Sequence, residues 1–206
     1  MKRFLHIGIC IFAFMMLTGC GKFEPQRDAV LIDAEGQITR AFVDSFVDES
    51  DQPYDVEEIK AMMEEELKAY NDSFGVDHIT LEKCELKDGV LTIQMICDEA
   101  KYYQDYCSYY NDDFVTEEAD VEFFAGTIAE AGDYDFAASF VTASGETAAA
   151  SDVKADETYK VVVFNEPLEV HTPGKILYVS DNVEVLGSKQ AQVTGDILQR
   201  AYIIYK

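Results

Sequence analysis

The chain has 206 residues, 40 of them acidic and 16 basic, and a formal net charge of −24 at pH 7. A surface of that sign repels phosphate backbones, which argues against nucleic acid as a partner. With 48% hydrophobic residues the chain can bury a core, and this excludes disorder by composition.

The chain starts Met1-Lys2-Arg3 and continues with an apolar run from Phe4 to Leu17. A basic start, an apolar stretch shorter than the ~20 residues that span a bilayer, and small residues after it describe a secretory signal. The run closes on Leu17-Thr18-Gly19-Cys20. These four residues resemble the lipobox of bacterial lipoproteins. The resemblance implies transfer of a diacylglyceryl group to the Cys20 sulfur and cleavage before it. The mature chain would then be held at the extracytoplasmic face of the cell membrane. Two acyl chains hold stably where one binds marginally. Loss of residues 1–19 removes two of the 16 bases, Lys2 and Arg3, and no acid, so the net charge becomes −26.

Gly21 to Asp28 reads as a polar tether ahead of a single domain over residues 29–206. The anionic body is expected to stand off from an anionic membrane. Ala29 to Ile32 reads as a strand and Asp33-Ala34-Glu35-Gly36 as a turn. Gln37 to Val47 also favours a strand, although Ile38, Phe42 and Phe46 fit a helical face. Asp48 to Pro53 is an acidic loop. From Asp55 to Tyr70 a helix is expected, capped by Asp55 with Glu58 three residues on. Val56, Ile59, Met63, Leu67 and Tyr70 share its apolar stripe. Asp88-Gly89 between Ile79–Leu86 and Val90–Cys97 signals a hairpin. The apolar alternation shifts between Leu81 and Cys84, which suggests a bulge. Asp98 to Tyr110 reads as a second helix and Val121 to Phe124 as a short apolar run. Thr127 and Glu130 suggest a brief capped helix ending at Gly132, and Phe136 to Val141 a strand. Thr142 to Glu157, small and polar, reads as a mobile loop or linker.

The last part is β throughout, with short strands separated by turn residues. Residues 159–206 hold five bases and five acids, so the whole excess charge lies in 20–158. The fold class expected is α+β: mainly antiparallel sheet, two principal helices, and a β-rich C-terminal third. Phe123-Phe124-Ala125-Gly126-Thr127, Pro173 to Ser180 and the ending Ala201 to Lys206 resemble uncharacterised lipoproteins of anaerobic Gram-positive bacteria. That resemblance implies no activity.

Signals for chemistry are sparse. His78 and His171 lie far apart in sequence, outside any metal-ligand spacing. No CxxC, GxSxG, GxGxxG or P-loop occurs, so no catalytic residue, metal ligand or cofactor is assigned. Cys84, Cys97 and Cys107 read as small buried hydrophobes, with a Cys84–Cys97 bridge conceivable on the hairpin. The acidic clusters at 48–51, 111–113 and 133–135 lack the ligand pattern of a calcium loop. Tyr102, Tyr106, Tyr109 and Tyr110 recur at helical spacing and form a possible recognition face, although the spacing suits packing on a sheet better. The expectation is a non-enzymatic surface lipoprotein that binds a protein or peptide partner. The alternatives are a lipoprotein that binds a small ligand or calcium, and a hydrolase of envelope polymers.

Overall fold

The computed structural model describes residues 23–45, 55–111, 121–132, 134–136, 139–193 and 199–206, leaving aside the side chains of 109–111. Leu17, Thr18, Gly19, Cys20 and the acidic stretch at 48–51 lie outside the described residues.

A strap, 23–28, leads into β1 (Ala29–Ile32) and β2 (Ile38–Ser45). The Asp33 carboxylate shapes the turn between them, accepting from the Glu35 and Gln37 N–H groups at 2.9 and 2.8 Å. Helix α1 (Val56–Asp72) is capped by Asp55, which accepts from Glu58 N–H at 2.9 Å. At its far end Asn71 is almost fully buried. Asn71 Nδ2 donates to the Ile79 carbonyl at 2.7 Å, and its Oδ1 accepts from His78 and Ile79 N–H at 3.0 and 3.2 Å. One side chain thus joins the helix to the next strand.

Strands β3 (Ile79–Lys87) and β4 (Val90–Cys97) form the expected hairpin. Asp88 and Gly89 have φ of 53° and 76°, as a two-residue type I′ turn requires. The register slips between Leu81 and Lys83, where the sequence alternation shifts. Helix α2 (Ala100–Asn111) follows. Then come β5 (Phe123–Thr127), β6 (Phe140–Thr142), β7 (Thr147–Ala148), α3 (Ala150–Val153), β8 (Lys160–Phe164) and β9 (Glu169–His171). The chain ends with β10 (Ile176–Ser180), β11 (Val183–Gly187), β12 (Gln190–Val193) and β13 (Ala201–Tyr205).

The strands make two sheets. The first has the order β11-β12-β9-β1-β2-β4-β3 and the second β5-β8-β13-β10-β6-β7. Pairing is antiparallel except between β1 and β9, which places the first strand of the chain beside a strand of the C-terminal part. The chain is therefore α+β, mainly antiparallel, with a β-rich C-terminal part. Val30, Ile38 and Met95 of the first sheet meet Val162, Ile176 and Ile203 of the second, with Leu67 of α1 and Tyr103 of α2 in the same core.

A second core lies on the far face of the second sheet. Val161 and Val163 of β8 and Tyr202 and Ile204 of β13 pack there against Ile128, Ala131, Phe136 and Val153. Three segments around this core depart from the sequence expectation. Residues 142–157 are not a linker: they form β7 and α3, and Val153 is fully buried. Residues 127–132 form the capping bonds, Glu130 N–H to Thr127 Oγ1 at 3.1 Å and Thr127 N–H to Glu130 Oε2 at 2.7 Å, but no helix. Ala131 N–H closes a single turn on the Thr127 carbonyl at 3.0 Å, and the N–H groups of Ile128 and Ala129, which have no partner inside a first turn, go to the carbonyls of Tyr159 and Glu157. The strand expected over 136–141 starts only at Phe140.

Candidate binding groove

In β2 the side chains of Ile38, Arg40 and Phe42 point the same way, toward the core, because side chains alternate along a strand. Arg40 is therefore forced into the interior, where it is 2% exposed. A buried charge must be paired and hydrogen-bonded. Asp28, at the end of the strap, supplies Oδ2 at 3.0 Å, and Glu166, between β8 and β9, supplies Oε1 at 3.6 Å. Arg40 Nε donates to the Tyr103 hydroxyl at 3.0 Å, which donates in turn to Glu166 Oε2 at 2.9 Å. A further guanidinium donor goes to the Ala41 carbonyl. The guanidinium also stacks over Phe42, 4.0 Å from its ring centre.

Burial works against charge on Arg40, but Tyr103, Glu166 and Asp28 outweigh it and hold the guanidinium above its ordinary value. Burial lifts the Glu166 carboxyl above its ordinary 4.5, against the pull of Arg40 and Tyr103. Among the described residues every buried side-chain nitrogen and oxygen has a partner. The network therefore joins the strap, β2, α2 and the β8–β9 connection.

Beside it a cavity of about 590 Å³ opens between α1, α2, β2 and β4. Phe42, Met63, Leu91, Ile93 and Tyr106 give it apolar walls, with Asp28 and Asp44 at its edge. Tyr106 is held upright: its hydroxyl donates to Glu66 Oε1, and its ring meets Tyr70 edge-on at 5.6 Å. An apolar cleft of this size with a few polar groups is the usual form of a ligand site.

The tyrosines of α2 divide between roles. Tyr106 is buried and walls the groove, and Tyr103 is fully buried. Tyr102 is half-buried, with the His78 ring stacked on it at 3.7 Å and Phe74 edge-on at 5.7 Å. Phe74 is 44% exposed, so this end of the helix presents a small aromatic surface. Tyr109 and Tyr110 belong to α2 by backbone alone, their side chains lying outside the described residues. His78 Nδ1 also lies 3.2 Å from Asp98, and His171 pairs with Glu169 at 2.6 Å. Residues 48–51, 112–113 and 133 of the acidic clusters lie outside the described residues.

Cys84, Cys97 and Cys107 are free. Cys84 pairs across from Ile93 and Cys97 from Ile79, so the hairpin register keeps the first two apart. Burial pushes Cys97 and Cys107 up to about 12 and raises Cys84 as well. All three are held as thiols at neutral pH, and a thiol is a poor nucleophile.

Sequence reasoning passed over Arg40, Asp28, Glu166, Phe42 and Met63 as a constellation. One signal was present: a charged residue at the inward parity of a strand whose neighbours at that parity are Ile38 and Phe42. No protein-family model matches the chain, and no curated protein or solved structure is significantly similar to it.

Proposed function

We propose that this is a lipoprotein anchored through Cys20 at the extracytoplasmic face of the cell membrane, and that it acts by binding a protein or peptide partner rather than by catalysis. The observation that carries the binding reading is the apolar groove of Phe42, Met63, Leu91, Ile93 and Tyr106 with carboxylates at its edge. The occupant that fits is a peptide segment with apolar side chains flanked by Lys or Arg. Apolar residues would fill the cleft, and the bases would meet Asp44 and the anionic field of the chain. The protonated thiols and the saturated Arg40 network support a binding role over a catalytic one.

Peptides alternating Leu or Phe with Lys test this against the same peptides carrying Glu, titrated by fluorescence anisotropy onto the full lipidated chain in detergent. The basic set should bind more tightly, lose affinity with added salt, and lose at least about tenfold with Met63→Glu, the ~1.4 kcal/mol of one decade. Equal binding of both sets, or indifference to Met63→Glu, would overturn the groove reading. Anchoring is tested separately. Cys20→Ala should abolish detergent partitioning, and unchanged partitioning of that variant would overturn the lipoprotein reading.

A further inference from the structure

We propose that the outer face of the first sheet, the face turned away from both cores, is the surface this protein lays against lipid headgroups. The inference rests on the lipoprotein reading of Cys20 and adds an orientation to it. Helices α1 and α2 and the second sheet all pack on the inner face. Among the described residues it is the strap 23–28 that crosses the outer one. Phe23 is fixed there twice. Its carbonyl accepts from Gln94 Nε2 at 2.9 Å, and its ring meets His171 edge-on with centroids 5.3 Å apart. Arg27 then reaches Gln192 Oε1 at 2.9 Å. Gln94, His171 and Gln192 stand opposite Ala41, Leu31 and Glu169 in register, so all share the outward parity.

The distance available is short. Three residue steps separate Cys20 from Phe23, and an extended chain covers about 11 Å in three steps. An acylated Cys20 in the bilayer therefore holds Phe23, and the sheet face beneath it, within about that reach of the headgroups. Charge points the same way. The processed chain carries −26 overall. Yet on this side Arg27, Lys83 and Lys87 stand against Glu24, Glu85, Asp88, Glu169 and Glu184, only a small part of that excess, with Lys83 pairing with Glu85 at 2.7 Å. Of these, Glu169 accepts from Gln190 Nε2 at 2.7 Å and lies 2.6 Å from His171 Nε2. A strongly anionic body on so short a leash is repelled less when it presents to an anionic bilayer a face that carries little of its excess charge. The body thus lies on the membrane instead of standing off from it, and the α1–α2 side is left open to a partner.

The chain contains no tryptophan, so one can be introduced as a fluorescence donor. Thr80→Trp marks the exposed outer face, with Lys87→Trp as a second position should the first fail to fold. Ser151→Trp marks α3, beyond the second sheet. Each lipidated full chain is reconstituted into vesicles of phosphatidylglycerol and phosphatidylethanolamine carrying dansyl headgroups. Energy transfer should be at least about threefold greater from the outer-face variants. A Gly/Ser insert of twenty residues after Lys22, with an r.m.s. reach of about 25 Å, should remove the difference. The mass of the N-terminal peptide reads acylation in the same samples. An unmodified Cys20 overturns the lipoprotein reading and the orientation with it. Acylated Cys20 with equal transfer from both faces overturns the orientation alone. So does a difference that survives the insert, or one that grows with protein density and marks a second copy on this face.

Discussion

The two sheets share a core and differ in what lies on their other faces. In the first, β2 and β4 bury one face and turn Thr39, Gln94 and Ile96 toward the strap side. In the second, β8 and β13 are buried on both faces. Val162 and Ile203 enter the shared core, while Val163 and Ile204 enter the far one, all at 0% exposure. A strand buried on both sides has no place for charge. This explains why β8 and β13 are apolar runs, with Lys160 at the end of β8 as their one charged residue. Each apolar side chain taken fully out of water contributes about 1.5–3 kcal/mol, so the second sheet concentrates stabilisation in few residues.

The sharpest way to break this comparison is to remove the cover of the second sheet. Phe136 is 5% exposed and touches Phe140 and Tyr202, with ring centroids 6.4 and 5.2 Å away. Phe136→Ala should cost about 4 kcal/mol in chemical denaturation, the usual range for a buried phenylalanine with its cavity. If the segment that carries it did not cover the second sheet, the loss would be near zero.

On the inner face of the first sheet, Arg40→Met should cost about 3 kcal/mol at neutral pH, because it leaves Glu166 buried without its counter-ion. The pH dependence has a definite sign. Glu166 already has a folded value raised by burial, and loss of Arg40 raises it further. A raised carboxyl favours the protonated folded state. Its contribution is full below the ordinary 4.5 and is lost as pH rises through the folded value. The Arg40→Met deficit should therefore shrink on acidification from pH 7 toward 4.5. Glu166→Gln in the same chain should restore most of the loss at pH 7. A deficit that does not change with pH, or a double variant no better than the single one, would show that Arg40 acts through packing on Phe42 rather than through charge.

Legibility followed the same division between sheets. The Asp55 cap, the α1 stripe, the Asp88-Gly89 hairpin and its bulge were all readable, because local rules of capping, periodicity and turn chemistry decide them. The strands of the second sheet were readable as apolar runs, but a run does not say how many of its faces are covered. Part of the cover, 142–157, was therefore read as a linker and 127–132 as a brief helix: the buried residues, Val153, Ala131 and Ile128, are scattered among small and polar ones at no single period. The groove was hidden for a related reason. Phe42, Met63, Ile93 and Tyr106 each belong to a correctly read element, and only the packing of α1 and α2 on the inner face of the first sheet brings them together.

The smallest expected effect tests whether the two sheets stand or open together. Asp55 accepts from Glu58 N–H at 2.9 Å at the first turn of α1, a helix that packs on β3 of the first sheet and on α2. Asp55→Ala removes that cap and should cost about 1 kcal/mol. Nothing of the second sheet is touched by the change. The shared core of Ile38, Met95, Val162 and Ile203 nevertheless ties both sheets into one unit. The slowest-exchanging amides of α1, β4, β8 and β13 should therefore all lose the same ~1 kcal/mol of protection in native-state hydrogen exchange. A loss confined to α1, β3 and β4, with β8 and β13 unchanged, would show instead that the two sheets open as separate cooperative units, with the shared core as the boundary that yields between them.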